Sequence, residues 1–349
     1  MTWLTWRQYR AQFAVGTAIL AALCLLLVLT GLQLISRYHA IVTQCASGIN
    51  NGQNGVNCST GGGLFVGGPT VGFVSLVLLA APVLAGLFLG APMVAAEFEA
   101  GTTQFAWMQG ITRARWLAVK AGWLLLAAAV WGGCVAALVT WWSGPPNALY
   151  ADAFHANEFD MQGIVPIAYA VFGVALGMAA GALLRRTLPA IAVTLAGFIG
   201  VRVLVAQFFR AHYLTPVTTY YSLTSNWQPA SGSWILGSGL VNKAGQAISM
   251  NPNAAVAQGI PVSALSAACQ KLIPTLANGS SMVRGGVITR GLDDARVAAC
   301  VKAAGFRQFS TYQPISRYWA FQSIETVIFL ALAAGLVAVA FAVVRRHDA

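Results

Sequence analysis

The stretch "EFEAGTTQFAWMQGITRARWLAVK", residues 97–120, lies between two long apolar runs. It holds the acids Glu97 and Glu99, a Gly-Thr step at Gly101 and Thr102, and the basic residues Arg113, Arg115 and Lys120. A link that only turns the chain between helices takes about two to eight residues. This one is longer, and its middle is amphipathic. It predicts a short helix lying along a membrane surface, with its charges available to a soluble partner.

Composition explains why that surface is a membrane. Of 349 residues, 8% are charged and 58% hydrophobic, and the mean hydropathy is +0.69. A soluble domain is about a quarter charged. Six apolar runs, 12–35, 73–96, 118–142, 164–184, 188–209 and 319–343, reach the ~20 residues that a spanning helix needs. The fourth and fifth are separated only by Arg185, Arg186 and Thr187, which predicts a tight helical hairpin. The first run is too long for a signal-peptide core and is read as a retained span. The fold class is therefore an all-α polytopic membrane protein.

The net charge of +11 would point to nucleic acid in a soluble chain. Here its distribution decides, and no nucleic-acid partner is expected. With the N-terminus inside, the cytoplasmic ends collect Arg7, Arg10, Arg113, Arg115, Lys120, Arg185, Arg186, Arg345 and Arg346. The two short outer loops hold only Arg37. This is a positive-inside pattern. It divides the chain into a cytoplasmic amphipathic N-terminus (1–11), five spans (12–209), an outer segment (210–318), and a sixth span with a cytoplasmic tail (319–349). Trp3, Trp6, Trp116, Trp123, Trp141, Trp142 and Trp319 fall near span ends, where amphipathic rings prefer to sit.

The cysteines agree with this layout. Cys24 and Cys134 lie in spans and read as small core residues. Cys45, Cys58, Cys269 and Cys300 all fall in outer segments, on the oxidising side. Four cysteines allow three pairings. Cys45–Cys58 would close the Gly/Asn-rich loop 36–72, and Cys269–Cys300 would tie two helices. Those helices are expected in "IPVSALSAACQKLIPTLA" and "LDDARVAACVKAAG", with Asp293 or Asp294 as a cap for the second. "SWILGSGLV", 233–241, reads as a strand, so 210–318 is a small mixed domain.

Several chemistries are missing from the sequence. It has no G-x-x-x-x-G-K-[ST] phosphate loop, no H-E-x-x-H metal helix and no G-x-S-x-G elbow. "DAFHANEFD" groups Asp152, His155, Glu158 and Asp160, residue types that serve metal or acid–base sites. Its spacing matches no known motif, and it reads better as a wet outer loop. No metal is expected.

Inside the membrane, Arg202 in the fifth span and Glu325 in the sixth fall at similar depth, about 10 Å below the outer surface at 1.5 Å per residue. An intramembrane charge usually finds a partner, so the two are expected to pair as a structural clamp. Gly173, Gly177 and Gly181 repeat G-x-x-x-G in the fourth span, which lets helix backbones approach closely. Gln207, His212 and Tyr213 are candidates to line an exit path.

An acid, a Gly-Thr step, then about a dozen residues to a basic cluster and a lysine resembles the loop between spans two and three of ABC-2 type transporter permeases. The residues that match are Glu97, Glu99, Gly101, Thr102, Arg113 and Lys120. "TWRQYR" at the start, "FDMQGIVPIAYAVFGVALGMAAGALLRRTLPA" (159–190) and "YQPISRYWAFQSIE" (312–325) are similar to actinobacterial members. The resemblance runs in order along nearly the whole chain. It departs at the long 210–318 segment, where many relatives have a short loop.

The resemblance implies a six-helix exporter fold of the ABC-2 (type V) kind, with 97–117 as the coupling loop. It implies a permease subunit in a bacterial plasma membrane that is not itself an enzyme. Two copies of a separate ABC ATPase would carry ATP and Mg, and a second permease half, as a homodimer, would complete the pathway. The apolar interior suits a lipophilic or amphipathic substrate: drug, antibiotic, lipid or hydrophobic peptide. The alternatives are a membrane-anchored sensor displaying 210–318, or an enzyme at the outer face using His155.

Overall fold

The structure is a computed structural model. It describes residues 69–101, 112–144, 156–222, 227–245, 247–251, 265–276 and 295–346, most of 14–39, and a few positions elsewhere. Among these are six helices long and apolar enough to cross a membrane: Gly16–Gln33, Leu76–Glu99, Arg113–Trp142, Val165–Leu184, Thr187–His212 and Ile315–Arg346. The chain divides into two compact units, one formed by residues 1–213 with 318–349 and the other by Leu214–Arg317.

In the helical unit, α1 is the Gly16–Gln33 span. The second helix, α2, is built in three pieces: Pro69–Ala85, a π-helical turn Gly86–Gly90, and Ala91–Glu99. Pro82 sits inside the first piece and removes one backbone donor there. Helix α3 (Arg113–Trp142) starts at Thr112, an extended N-cap whose hydroxyl accepts from the Arg115 N–H at 3.4 Å. A short α4 (Ala156–Met161) precedes α5 (Val165–Leu184). Arg185, in the left-handed region at φ 53°, turns α5 into α6 (Thr187–Leu204). Helix α6 runs on through a π turn, Val205–Phe209, and a 3-10 turn, Arg210–His212.

Helix α5 is the centre of the bundle. Of its apolar window, 72% is buried, against at most 50% in any other span. Its Gly173, Gly177 and Gly181 face α2 backbone to backbone. A Cβ added at Gly173 would lie 2.6 Å from the Pro82 carbonyl oxygen, and one at Gly181 would lie 2.6 Å from that of Ala91. Across the seam, a Cβ at Gly90 would lie 2.5 Å from the Val174 oxygen. At one end of the bundle Met93, Val94, Trp116, Leu117, Met178, Ala182 and Val344 close a common core, so those ends of α2, α3, α5 and α9 (Tyr318–Arg346) meet there. Trp142 of α3 donates its indole N–H to Thr30 of α1 at 3.1 Å. Cys134 faces outward on α3, unlike the core residue the sequence suggests.

The second unit is α+β. Strands β1 (Val217–Ser222), β2 (Trp234–Val241), β3 (Ala247–Asn251) and β7 (Arg307–Gln313) form an antiparallel sheet in the order β1-β7-β2-β3. Short strands β4 (Ile260–Pro261), β5 (Val283–Arg284) and β6 (Val287–Ile288) form a second sheet. Pairing of Val217 with Tyr312 brings the start and end of the unit side by side. Gln313 donates to the Leu214 carbonyl at 2.6 Å, and Arg317 to that of Thr215 at 2.7 Å. Helices α7 (Ala267–Leu276) and α8 (Ala295–Ala304) are joined by the Cys269–Cys300 disulfide. Cys45, Cys58, Asp293 and Asp294 lie outside the described residues.

Two outcomes follow from this packing. Gly177→Leu has no room, because a Cβ there already comes within 2.6 Å of the Ala91 nitrogen. It should abolish the monodisperse size-exclusion peak in detergent, whereas Gly122→Ala, where a Cβ meets nothing within 4 Å, should leave it unchanged. The disulfide closes a separation of 31 residues. Cys300→Ser should lower the stability of the second unit by roughly 3–4 kcal/mol on loop entropy. Limited proteolysis of the full chain would read this as faster cleavage within 214–317.

Candidate functional site

Charged side chains from α4, α6 and α9 meet inside the helical unit. Asp160 and Arg210 are 7% and 2% exposed, and Glu325 is fully buried. The Arg210 guanidinium grips Glu325 with two hydrogen bonds, from Nε at 2.9 Å and from Nη2 at 2.7 Å, and also bonds Asp160 Oδ1. Such a two-pronged fit suits the planar guanidinium fork. Arg202 donates to Asp160 Oδ2 at 2.8 Å and to the Leu79 carbonyl of α2 at 3.2 Å. Tyr169 of α5 sits between the acids, its hydroxyl 3.1 Å from Asp160 Oδ1 and bonded to Glu325 Oε1. Arg202 stacks on the Tyr169 ring and Arg210 on Phe159, at 4.9 and 4.3 Å. Two acids and two bases sum to zero, which is how the set tolerates an apolar interior.

Local sequence explains the convergence. The π turn Val205–Phe209 shifts the register of whatever follows it in α6, and Arg210 comes next, pointing inward. Gln322 of α9 fixes the α4–α5 turn. Its Oε1 accepts from the N–H groups of Ile164 and Val165 at 3.1 and 3.0 Å, which are orphan donors at a helix start. Its Nε2 donates to the Phe159 carbonyl at 3.0 Å. Gly163, at φ 71°, leaves space for this side chain, since a Cβ there would lie 2.7 Å from Gln322 Oε1. Phe154, Phe159, Tyr318 and Phe321 stack around the charges. Tyr213 donates to Glu325 Oε2 at 3.2 Å. Its phenol is held well above the usual tyrosine range, first by burial and then by the Glu325 carboxylate, so it stays a neutral donor.

This geometry corrects two expectations. Arg202 and Glu325 do not pair with each other: Arg202 takes Asp160, and Glu325 takes Arg210. Depth matching left out Arg210, which the sequence reading assigned to the outer segment because it follows the apolar run. The segment around Asp160 is not a wet loop either. Phe154 and Phe159 are buried with it, and its carboxylate is engaged by two guanidiniums. Asp152 and His155 lie outside the described residues. Gln207 is exposed, and His212 shares a hydrogen bond with the Phe208 carbonyl at 3.0 Å.

At the opposite end, three of the residues expected to meet a partner, Glu97, Glu99 and Lys120, are engaged within the chain. Lys120 is 5% exposed, pairs with Glu97 and lies 4.6 Å over the Trp116 ring. The Glu99 carboxylate accepts from the Thr187 N–H at 3.2 Å and its hydroxyl at 2.8 Å, capping the start of α6. Arg185 stacks on Phe98 at 5.4 Å. Gly101, at φ 68°, ends α2. Thr102 and the rest of 102–111 lie outside the described residues, so the surface helix expected there does too. Arg113 is half-buried and Arg115 exposed, both in the first turn of α3. Charge spacing alone could not tell a free charge from one already answered across the bundle.

A third feature is a cavity of about 660 Å³ among α1, α2, α3 and the start of α5, with Asp160 and Arg202 in its wall.

Comparison with known proteins gives one family. The model described as "ABC-2 membrane transporter related" matches residues 17–210, more than half of the chain. The chain belongs to that family. Neither the curated proteins nor the solved structures gave a match. With six apolar helices, the match makes this ABC-2 protein a multi-pass membrane protein of permease type. The matched stretch includes Asp160, Tyr169, Arg202 and Arg210 and ends just before the second unit.

Arg210→Met strands the buried Glu325 carboxylate and takes one of its two guanidiniums from Asp160, and should cost about 3–5 kcal/mol. Thermal unfolding in detergent, followed by tryptophan fluorescence, measures it. Arg210→Met with Glu325→Met should recover part of the loss. A double variant no more stable than the single one would mean that uncompensated charge is not the cause.

Proposed function

We propose that this chain is the permease subunit of an ATP-driven ABC exporter. It moves a lipophilic or amphipathic substrate outward using a separate ATPase that holds the ATP and Mg. Two permease chains form the pathway as a homodimer, and two ATPase copies bind at the 97–120 end, which is cytoplasmic in a bacterial plasma membrane. Residues 214–317 then lie outside the cell. The observation that carries this reading is the family match over 17–210.

Charge supports the orientation. Arg113, Arg115, Arg185, Arg186, Arg345 and Arg346 all belong to the end where α2, α3, α5 and α9 close a common core. Clustered basic residues at short loops favour the cytoplasmic side. Disulfide Cys269–Cys300 in the second unit supports the opposite, oxidising side for that unit.

The engagement of Glu97, Glu99 and Lys120 within the chain refines the coupling proposal. Those residues brace the end of α2 against α3 and α6, while Arg115 and the 102–111 segment meet the ATPase. Mild-detergent purification from the native membrane should bring an ABC ATPase with the wild-type chain, identified by mass spectrometry. Arg115→Glu, at an exposed position, should reduce the recovered ATPase several-fold with the permease still folded. A folded permease that brings no ATPase would remove the engine from this reading.

A further inference from the structure

We propose that the cavity between α1, α2 and α3 binds one amphipathic molecule, an acyl chain or similar apolar body with a hydrogen-bond-accepting acidic head set against Arg202. The inference rests on the permease reading in taking that molecule as the substrate; the binding itself stands on the geometry of a single chain.

The volume of about 660 Å³ falls in the range of small-molecule sites, roughly 300–1,000 Å³. Its walls are apolar along most of their length, with Leu23, Pro82, Phe88 and Trp131 among them. An apolar body therefore gains by leaving either water or the headgroup region. Among the described residues, the charged side chains of the wall are Asp160 and Arg202.

These two are not equivalent toward a ligand. Asp160 is satisfied on both oxygens, by Arg202, Arg210 and Tyr169. Arg202 has five N–H donors to place. Its two hydrogen bonds go to Asp160 and the Leu79 carbonyl, and its side chain remains 16% exposed. The unspent donors lie on the group that lines the cavity, so the complementary head is an acceptor. A carboxylate or phosphate meets that demand and an amine does not.

The Leu79 carbonyl sits in the same stretch of α2 that Pro82 interrupts, and Ala81 and Pro82 both line the cavity. A ligand head on Arg202 would thus touch the side chain that links α6 to α2.

The test uses the purified full chain in lipid nanodiscs, with no ATPase present. The probe is a 16-carbon fatty acid carrying a mid-chain diazirine. Comparators are the same chain ending in a methyl group and in an ammonium group. Irradiation and peptide mass spectrometry should place the fatty-acid label within 77–89 and 128–135, at least tenfold above either comparator. Excess unlabelled palmitate, and separately discs enriched in phosphatidylglycerol, tell a free acid from a bilayer lipid as the source of the acidic head. Ala81→Trp fills the cavity and should cut the label tenfold at an unchanged elution volume. Equal labelling by the methyl or ammonium chain overturns the proposal, and that comparison holds in the wild type even if the variant fails to fold. Labelling without ATPase recruitment would keep the site and sink the transporter reading; recruitment without labelling would do the reverse.

Discussion

The Arg210 guanidinium holds Asp160 of α4 and Glu325 of α9 at once, and Arg202 answers the remaining oxygen of Asp160. Each of these charges alone would be costly in a membrane interior, about 2.5–3.5 kcal/mol on insertion scales. Interlocked, they sum to zero and leave both acids bonded. Well-packed apolar residues of the same volume can be as stable as a buried ion pair. What apolar residues do not supply is direction. A guanidinium fork accepts few geometries, so the set specifies where α4, α6 and α9 end relative to Tyr169 on the central helix. That role suits a bundle of Ala, Leu and Val faces, which by themselves would slide past one another at little cost.

The spans were legible because a hydrocarbon layer demands length and apolarity, and both are local properties. The expected run 164–184 and the helix Val165–Leu184 differ by one residue at one end. The glycine seam was legible for a similar reason: a four-residue repeat fixes one helix face, although it does not name the partner, here α2. The Cys269–Cys300 bond was legible because each cysteine sat in its own amphipathic helical pattern. The charged site was only half legible. Depth counted along an unbroken helix put Arg202 level with Glu325. The structure inserts a π turn after Leu204 and folds Arg210 back into the bundle, so the arginine that reads as the first residue outside becomes the one most enclosed. Asp160 was missed because its burial depends on partners 42 and 50 residues away. Lys120 and Glu97 show the same limit, since a sequence lists charges without saying which are already matched.

Helix α2 ties these features together. One end is braced by Glu97 on Lys120 and by Glu99 on the start of α6. Its middle has no side chains to yield at the seam with α5, where Gly90 and Gly177 approach opposing backbone. Further along, Pro82 withholds the backbone donor that would face the Leu78 carbonyl, and the next carbonyl, of Leu79, accepts from Arg202. The helix is therefore stiffly indexed against α5 yet interrupted by a proline and a π turn, which are the features that let a helix bend at a defined place. Under the proposed function, a push at the 100–112 segment reaches α2 through its braced end. A backbone-to-backbone seam resists lateral give, so the displacement runs along the helix to the interruption. The groups waiting there are the Leu79 carbonyl, Arg202 and the cavity wall. The same arginine is one of the four charges in the set that positions α4 and α9, so a ligand head competing for it would act on the arrangement that holds the far end of the bundle together.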